Sequence, residues 1–376
     1  MFKDLFNSKK ILATNRYAWI DYVRGICIIL VCYRHCFEGL KESSLPTQDH
    51  PFLEILNVCF YSFRMPLFFI VSGLFVTSSL FKKGLKKYIG NRFNIIFYPL
   101  LIWGSIQITL QLLLRDYVNA KPALTDYVNL IIFPRNPNNN QQFWYLNTLF
   151  FVGAFYAFFK VVFKFKLWQQ VVLSVLLYAI ASYWSYNDIT FYIFPDVFHH
   201  YIYFCLGNVF SAYILNKENQ DKFVTSKWLW PSVLMFIAVQ TIFTIVNIRH
   251  AEDNFINHKM PWAYLLISLA GCAFVIQLGF VLQQTGVLKW LRVLGYHSLY
   301  IYLMHLMIIA AVRIFVLKVL GIESVYLILS VAMVAGVLLP IIFYNVAMRW
   351  GLWWLFTFEK PLDNTALVNN KNTATA

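Results

Sequence analysis

Long uninterrupted runs of apolar residues dominate the chain, and they constrain its fold more than any other feature. A helix of about 20 apolar residues crosses the roughly 30 Å hydrocarbon core of a bilayer. A bilayer core also requires backbone groups to pair within a segment, and the runs lack the alternation of β-barrel strands. The sequence therefore predicts an all-α, polytopic membrane helix bundle of about ten transmembrane helices. The predicted spans are residues 17–38, 57–80, 93–114, 144–163, 167–184, 198–216, 228–247, 262–283, 295–317 and 325–348.

Composition excludes an ordinary soluble protein. Apolar residues make up 60% of the 376 and charged residues only 13%, whereas about a quarter of the residues in soluble domains are charged. No segment between the apolar runs is long enough to form a separate soluble domain. We therefore predict one membrane domain over residues 17–356. A cytoplasmic segment, 1–16, precedes it, and a polar, disordered cytoplasmic tail, 357–376, follows it.

The distribution of basic residues predicts the orientation. With the N-terminus inside, the inner segments carry 20 of the 31 Lys and Arg, and the outer segments carry 7. This asymmetry follows the positive-inside rule, so both termini are predicted to be cytoplasmic in a multi-pass protein of the cell (inner or plasma) membrane. The net charge of +14 then reflects topology and contact with anionic inner-leaflet lipid, and no nucleic-acid partner is expected.

The first span contains an unusual set of ionisable residues. Asp21, Arg24, His35 and Glu38 share one face at 100° per residue, and Arg34 lies off that face. The eleven residues from Arg24 to His35 rise by about 16 Å, which places Arg24 in the inner half of the span and His35 near the outer surface. Charged groups inside a bilayer are costly and indicate a functional site.

Two interpretations of this stripe are open. Asp21 and Arg24 are spaced to form a purely structural ion pair. The added histidine favours function, because imidazole is the general base available near neutral pH and an adjacent carboxylate can orient it. On that interpretation His35, oriented by Glu38, is the base, and Arg24 is a cationic anchor deeper in the membrane.

Four motifs resemble those of the membrane acyltransferase-3 family, the integral membrane O-acetyltransferases of polysaccharides and lipopolysaccharides. The first is Trp19–Gly25 with its Asp and Arg-Gly, followed by His35 eleven residues after the Arg. The others are the Pro-Leu-Phe-Phe-x-x-Ser-Gly segment within Met65–Phe75, the Trp-Tyr-Leu of Phe143–Leu146, and the Gly-x-x-Ser-Leu-x-x-Tyr-Leu-x-His segment within Leu294–His305. Their order and spacing match over roughly residues 17–350.

The resemblance implies a ten-helix core that takes acetyl groups from cytosolic acetyl-CoA and delivers them to extracytoplasmic glycan hydroxyls or lipid-linked precursors. It implies that Arg24 and His35 are essential, and that acetyl-CoA is a co-substrate rather than a tightly bound cofactor. The family often has two basic residues three apart before the third helix, but here the second falls near Asn94 and Ile95. The basic residues predicted to bind the CoA phosphates are Lys82, Lys86, Lys87 and Arg92.

Four further residues are candidates for substrate binding: Arg64, Trp144, His305 and Arg313. The two arginines project from the outer third of their spans, where they could either extend to the interface or hold an acceptor. His305 lies mid-span, where a hydrogen-bonded core histidine is the commoner case. Ser72 and Gly73 form a small pair typical of close helix packing. No metal motif is present.

Two alternatives from other classes are open. A secondary transporter or flippase for a lipid-linked glycan would also use about ten helices and intramembrane charges. However, its charges would be expected in both halves of the chain, whereas here they crowd the first two spans. An acyl-sensing membrane scaffold is the third possibility. Thioester hydrolysis by the purified protein would separate the three.

The topology is tested by reporter fusions. We expect cytoplasmic signals from fusions after residues 88, 164, 222 and 290, and external signals after residues 48, 128, 190 and 255. The reason is the asymmetry of Lys and Arg between the two sets of loops. Two or more adjacent loops that report the opposite side would contradict the ten-span arrangement.

Overall fold

The computed structural model describes residues 5–13, 17–43, 45–116, 121–135 and 141–360. Every regular element in these ranges is helical, which confirms the predicted all-α class; the predicted disordered tail lies almost entirely outside them. The α-helices are α1 Ser8–Ala13, α2 Ala18–Lys41, α3 Pro51–Cys59, α4 Tyr61–Gly73, α5 Val76–Arg92, α6 Tyr98–Leu113, α7 Asp126–Ile132, α8 Trp144–Val161, α9 Leu167–Tyr186, α10 Phe194–Val209, α11 Ser211–Ile214, α12 Lys217–Phe223, α13 Ser226–Arg249, α14 Phe255–Lys259, α15 Pro261–Thr285, α16 Trp290–Tyr296, α17 Ser298–Ile314 and α18 Val325–Arg349.

Among the described residues, eight helical segments are long and apolar enough to cross a membrane, so the chain is a multi-pass membrane protein. Two of the ten predicted spans fall outside this set. One is α2, which has 24 residues but carries the charged stripe, and the other is α10, which has only 16 residues. The ten-span count therefore remains a prediction. The eight segments are Pro51–Gly73, Val76–Leu113, Trp144–Val161, Leu167–Tyr186, Ser226–Arg249, Pro261–Thr285, Ser298–Val319 and Val325–Arg349.

The second and third spans differ from their predicted bounds. The second runs over 51–73 rather than 57–80, because Pro51 occupies the first turn of α3 and its missing N–H is not needed there. The next helical segment, 76–113, is 38 residues long. A π-helical turn at Phe93–Phe97 joins α5 to α6 within it. The basic cluster predicted to form an inner loop is therefore helical.

Helix α2 lies at the centre of the bundle, where it packs against α4, α15, α16, α17 and α18. Its crossing with α16 depends on two glycines. A Cβ at Gly25 would overlap the carbonyl oxygen of Leu291, and a Cβ at Gly295 would overlap the carbonyl oxygen of Asp21. Only glycine allows the two backbones to approach so closely.

A second glycine crossing joins α4 to α10. A Cβ at Gly73 would overlap the carbonyl oxygen of Phe204, and a Cβ at Gly207 would overlap that of Ile70. The small pair Ser72–Gly73 therefore serves close packing, as its composition predicts. The motif glycines Gly25, Gly73 and Gly295 are all points of backbone contact between helices.

The segment that follows α18 is fastened across α6 and the π-turn before it. Tyr98 Oη donates to the carbonyl oxygen of Trp354 at 2.8 Å, and Trp103 Nε1 donates to that of Leu355 at 2.9 Å. Asn94 Oδ1 accepts hydrogen bonds from the backbone N–H groups of Phe358, at 2.6 Å, and of Glu359, at 3.0 Å. We call residues 353–359 the C-terminal clasp.

The glycine crossings predict the effect of one added methyl group. Gly73→Ala and Gly207→Ala should each lower the thermal unfolding temperature of the detergent-purified protein, because overpacking of this kind costs about 1–3 kcal/mol. Gly90→Ala is the matched control. Nothing lies within 4 Å of the Cβ that it would add, so the change should be neutral or slightly stabilising in a helix. Equal unfolding temperatures for all three variants would contradict the contact.

Candidate functional site

Arg24 and His35 both lie on α2, and His35 follows Arg24 by eleven positions, which is about 16 Å of helix. Asp21 and Arg24, both among the described residues, form no direct ion pair within 4 Å, although Arg24 lies within electrostatic range of Asp21. Asp21 instead lies in the first turn of α2, where the helix dipole stabilises a carboxylate. Arg24 and His35 therefore belong to two separate environments.

Arg24 lines a cavity of about 230 Å³ near the N-terminal end of α2. Three cations contribute to the walls, which suits a ligand with several negative charges. The lining residues are Arg24, Ser72, Phe75, Val76, Ser79, Lys83, Tyr88, Asn91, Arg92, Ile95 and Ile96.

Arg92 is held in this cavity by two neighbours. Its Nη2 donates to the carbonyl oxygen of Leu149 at 2.6 Å, and its Nη1 donates to Ser72 Oγ at 3.4 Å. Gly153 leaves space for the guanidinium, because a Cβ there would collide with it. Arg92 Nε is buried and has no hydrogen-bond partner within the described structure by distance and angle. The cavity therefore offers a polar group that a ligand could satisfy.

The structure brings only one of the predicted phosphate-binding residues, Arg92, to this cavity. Lys82, Lys86 and Lys87 are exposed on α5 and do not line it, whereas Lys83 does. Helical periodicity could not identify Lys83 as a residue that lines the cavity. The next residue, Gly84, has φ 70° and ψ 169° and interrupts the helical progression of α5.

At the other end of the stripe His35 faces a second histidine. The ring centroids of His35 and His305 are 5.2 Å apart. His305 Nδ1 lies 2.9 and 3.0 Å from the carbonyl oxygens of Tyr302 and Ile301. Carbonyl oxygens only accept, so Nδ1 carries the proton and Nε2 keeps its lone pair. His305 Nε2 is buried without a partner in the described structure, so His305 is only half satisfied.

Contrary to the prediction, Glu38 forms no hydrogen bond or ion pair with His35 within the described structure; its partner is Arg34. It forms an ion pair with Arg34 one turn away, and Arg34 also lies 3.4 Å from Asp253 Oδ2. Around the helix axis Glu38 is about 40° from Arg34 and about 60° from His35. The smaller angle and the opposite charges both favour the pair with Arg34. The predicted stripe omitted Arg34 because it was defined by the angle of each residue around the helix axis. That angle takes no account of how far a long side chain extends.

Arg313 and Trp144 both have partners within the chain. Arg313 donates to the carbonyl oxygen of Gly39 in the last turn of α2, where a cation complements the helix dipole. The Trp144 ring lies 3.8 Å from Cζ of Arg135, and that guanidinium pairs with Asp196 at 2.7 Å. The predicted substrate-binding role of these two residues would require the partners to move. Sequence reasoning missed the Arg135–Asp196 pair because it joins segments far apart in the chain.

The ion pair on α2 is tested by a double-mutant cycle. Arg34→Gln and Glu38→Gln should each lower the unfolding temperature, and the double variant should show a coupling of about 1 kcal/mol or more, because the pair is partly buried. Lys41 and Glu54, an exposed pair at 3.0 Å, provide the control cycle, with a coupling between zero and about 1 kcal/mol expected. Additive effects of the Arg34 and Glu38 changes would contradict the pairing.

Comparison with known proteins completes the description. Residues 17–345 match the model of a family described as an acyltransferase domain. Nodulation protein NolL of Sinorhizobium fredii is 26% identical over 208 residues, which are 55% of this chain and 52% of that protein. NolL of Mesorhizobium japonicum is 23% identical over 300 residues, 77% of this chain and 75% of that protein. The chain thus spans about half the length of the first relative. No solved structure matches it significantly.

Proposed function

The chain belongs to the acyltransferase domain family, and from that premise we propose that it is a membrane-embedded O-acyltransferase. The donor is cytosolic acyl-CoA, most simply acetyl-CoA, and the acceptor is a hydroxyl of an extracytoplasmic glycan or of its lipid-linked precursor. The family match favours acyl transfer over the transporter, flippase and scaffold alternatives. We place the enzyme in the cell membrane, with the basic end of α2 facing the cytoplasm.

The cavity beside Arg24 carries the proposal for the donor. CoA is a polyanion, and Arg24, Lys83 and Arg92 supply three cations within one cavity. Guanidinium groups bind phosphate with paired, charge-assisted hydrogen bonds, and the unpartnered Nε of Arg92 is one such donor. The extended pantetheine arm then follows α2 toward His35, about 16 Å along the helix axis.

The histidine end of the stripe is the proposed site of chemistry. His35 takes the proton of the acceptor hydroxyl while the hydroxyl oxygen attacks the thioester carbonyl carbon. The tetrahedral intermediate collapses, the C–S bond breaks, and the CoA thiolate accepts a proton from the imidazolium. His305 presents a lone pair on Nε2 beside His35 and helps to hold that proton.

The experiment separates binding from chemistry. Purified, lipid-reconstituted His35→Ala should lose acetyl transfer by about 10²–10⁴-fold, the contribution of a general base, and should keep its affinity for acetyl-CoA. Arg24→Ala should instead weaken acetyl-CoA binding, as should Lys83→Ala. Isothermal titration with acetyl-CoA and transfer of radiolabelled acetyl provide the two measurements.

Lys86→Ala is the matched comparison for Lys83→Ala. Lys86 lies on the same helix but does not line the cavity, so the loss of affinity should be smaller than for Lys83→Ala. Parallel loss of binding and transfer in His35→Ala would assign His35 to binding or folding. Unchanged transfer in His35→Ala would refute the mechanism.

A further inference from the structure

Arg64 is a buried cation that lacks a carboxylate partner. Arg64 is 3% exposed, and its Nη1 has no hydrogen-bond partner among the described residues. Arg34 and Arg135 also lie near the histidine end of the stripe, but each pairs with a carboxylate. Within the part of the chain that the structure describes, Arg64 forms no ion pair within 4 Å.

The backbone around Arg64 is fixed by a proline and by α15. Pro66 has no N–H, so the carbonyl oxygen of Ser62 loses its helical donor. Tyr264 Oη on α15 supplies the missing bond at 3.2 Å. The adjacent Phe63 packs against Gly271 of α15, where a Cβ would overlap its side chain. The position of Arg64 on α4 is therefore set by two independent contacts with the same helix.

The Arg64 guanidinium lies near Arg34 of α2, the residue that precedes His35. One ring, that of Tyr61, contacts both guanidinium groups: its centroid is 5.1 Å from Cζ of Arg64 and 4.7 Å from Cζ of Arg34. Arg64 also interacts electrostatically with His35 and Glu38, but Glu38 is paired with Arg34. An unpaired positive charge with an unused N–H donor is thus held near the turn of α2 that carries the proposed base.

Such an arrangement has a cost and needs a compensating interaction. An unpaired cation buried inside a membrane protein destabilises the fold. In an enzyme this destabilisation is offset when a negative charge develops next to the cation in the transition state. The cation is already in position, so it stabilises that charge without any reorganisation. Acyl transfer creates such a charge. When the acceptor oxygen bonds to the thioester carbon, the C=O π electrons move to the carbonyl oxygen.

We propose that Arg64 stabilises this oxyanion and is a catalytic residue of the acyl transfer; the inference rests on the proposed function. As the C–O bond forms, His35 holds the acceptor proton and Arg64 Nη1–H donates to the oxyanion. As the C=O bond reforms, the C–S bond breaks, and the proton passes from His35 to the departing thiolate. No further reactant is required.

The test compares Arg64→Met, Arg64→Gln and Arg64→Lys in lipid nanodiscs with acetyl-CoA as donor. The acceptor probes are water, methyl β-glucoside and methyl β-glucuronide. We expect Arg64→Met to lower kcat by about 10²–10³-fold for every probe that the wild type uses, with acetyl-CoA affinity within about two-fold. Arg64→Lys should recover part of kcat, and Arg64→Gln less. Arg115→Gln, a change at an exposed arginine after α6, is the control and should match the wild type.

Each outcome decides the assignment. Wild-type kcat in the Arg64 variants overturns it. A rise in KM confined to methyl β-glucuronide also overturns it, because Arg64 would then bind an anionic acceptor in the ground state. If Arg64→Met does not fold, the other two variants are compared. A higher kcat in Arg64→Lys than in Arg64→Gln supports the proposal, and equal values refute it. A wild type without acetyl transfer or thioester hydrolysis refutes the proposed function itself, and the role of Arg64 with it.

Discussion

A helix that carries ionisable side chains along most of its length is stable inside a bilayer only when other helices enclose it, and this requirement organises the molecule. Helix α2 packs against four helices from the second half of the chain, α15 to α18, and against α3 and α4. The glycine crossing with α16 brings the two backbones together at the level of Asp21. Close enclosure excludes lipid, and it also lowers the local dielectric, which would strengthen the interactions of Arg24 and His35 with the proposed ligands.

The same helix holds two chemically different environments at a fixed separation. Near its N-terminus the polar groups around the cavity include three cations and a tyrosine hydroxyl. Near its C-terminus the polar groups are two imidazoles and one unpaired guanidinium. A rigid helix maintains the separation better than loops could, because its length depends on backbone geometry alone. The proposed reaction uses both ends of one long donor molecule.

Much of the fold and part of the candidate site could be predicted from the sequence. Apolar run length gave the helical class, and four motifs led to the family. Helical periodicity related Arg24 to His35 correctly, since both lie on one regular helix. It failed for Arg34, whose side chain reaches across 40° to Glu38. It could not have identified Lys83, because Gly84 interrupts the helical progression of α5. Contacts between distant segments, such as Arg135 with Asp196, carry no local signal at all.

The C-terminal clasp has a consequence for the order of assembly. Its hydrogen bonds fasten the π-turn and helix that begin directly after Arg92, yet the clasp follows every membrane segment described here in chain order. During synthesis these hydrogen bonds therefore form only after the last of these helices has left the translocon. The final fastening of the segment next to the proposed donor cavity is thus tied to completion of the bundle rather than to insertion of the early helices that line the cavity.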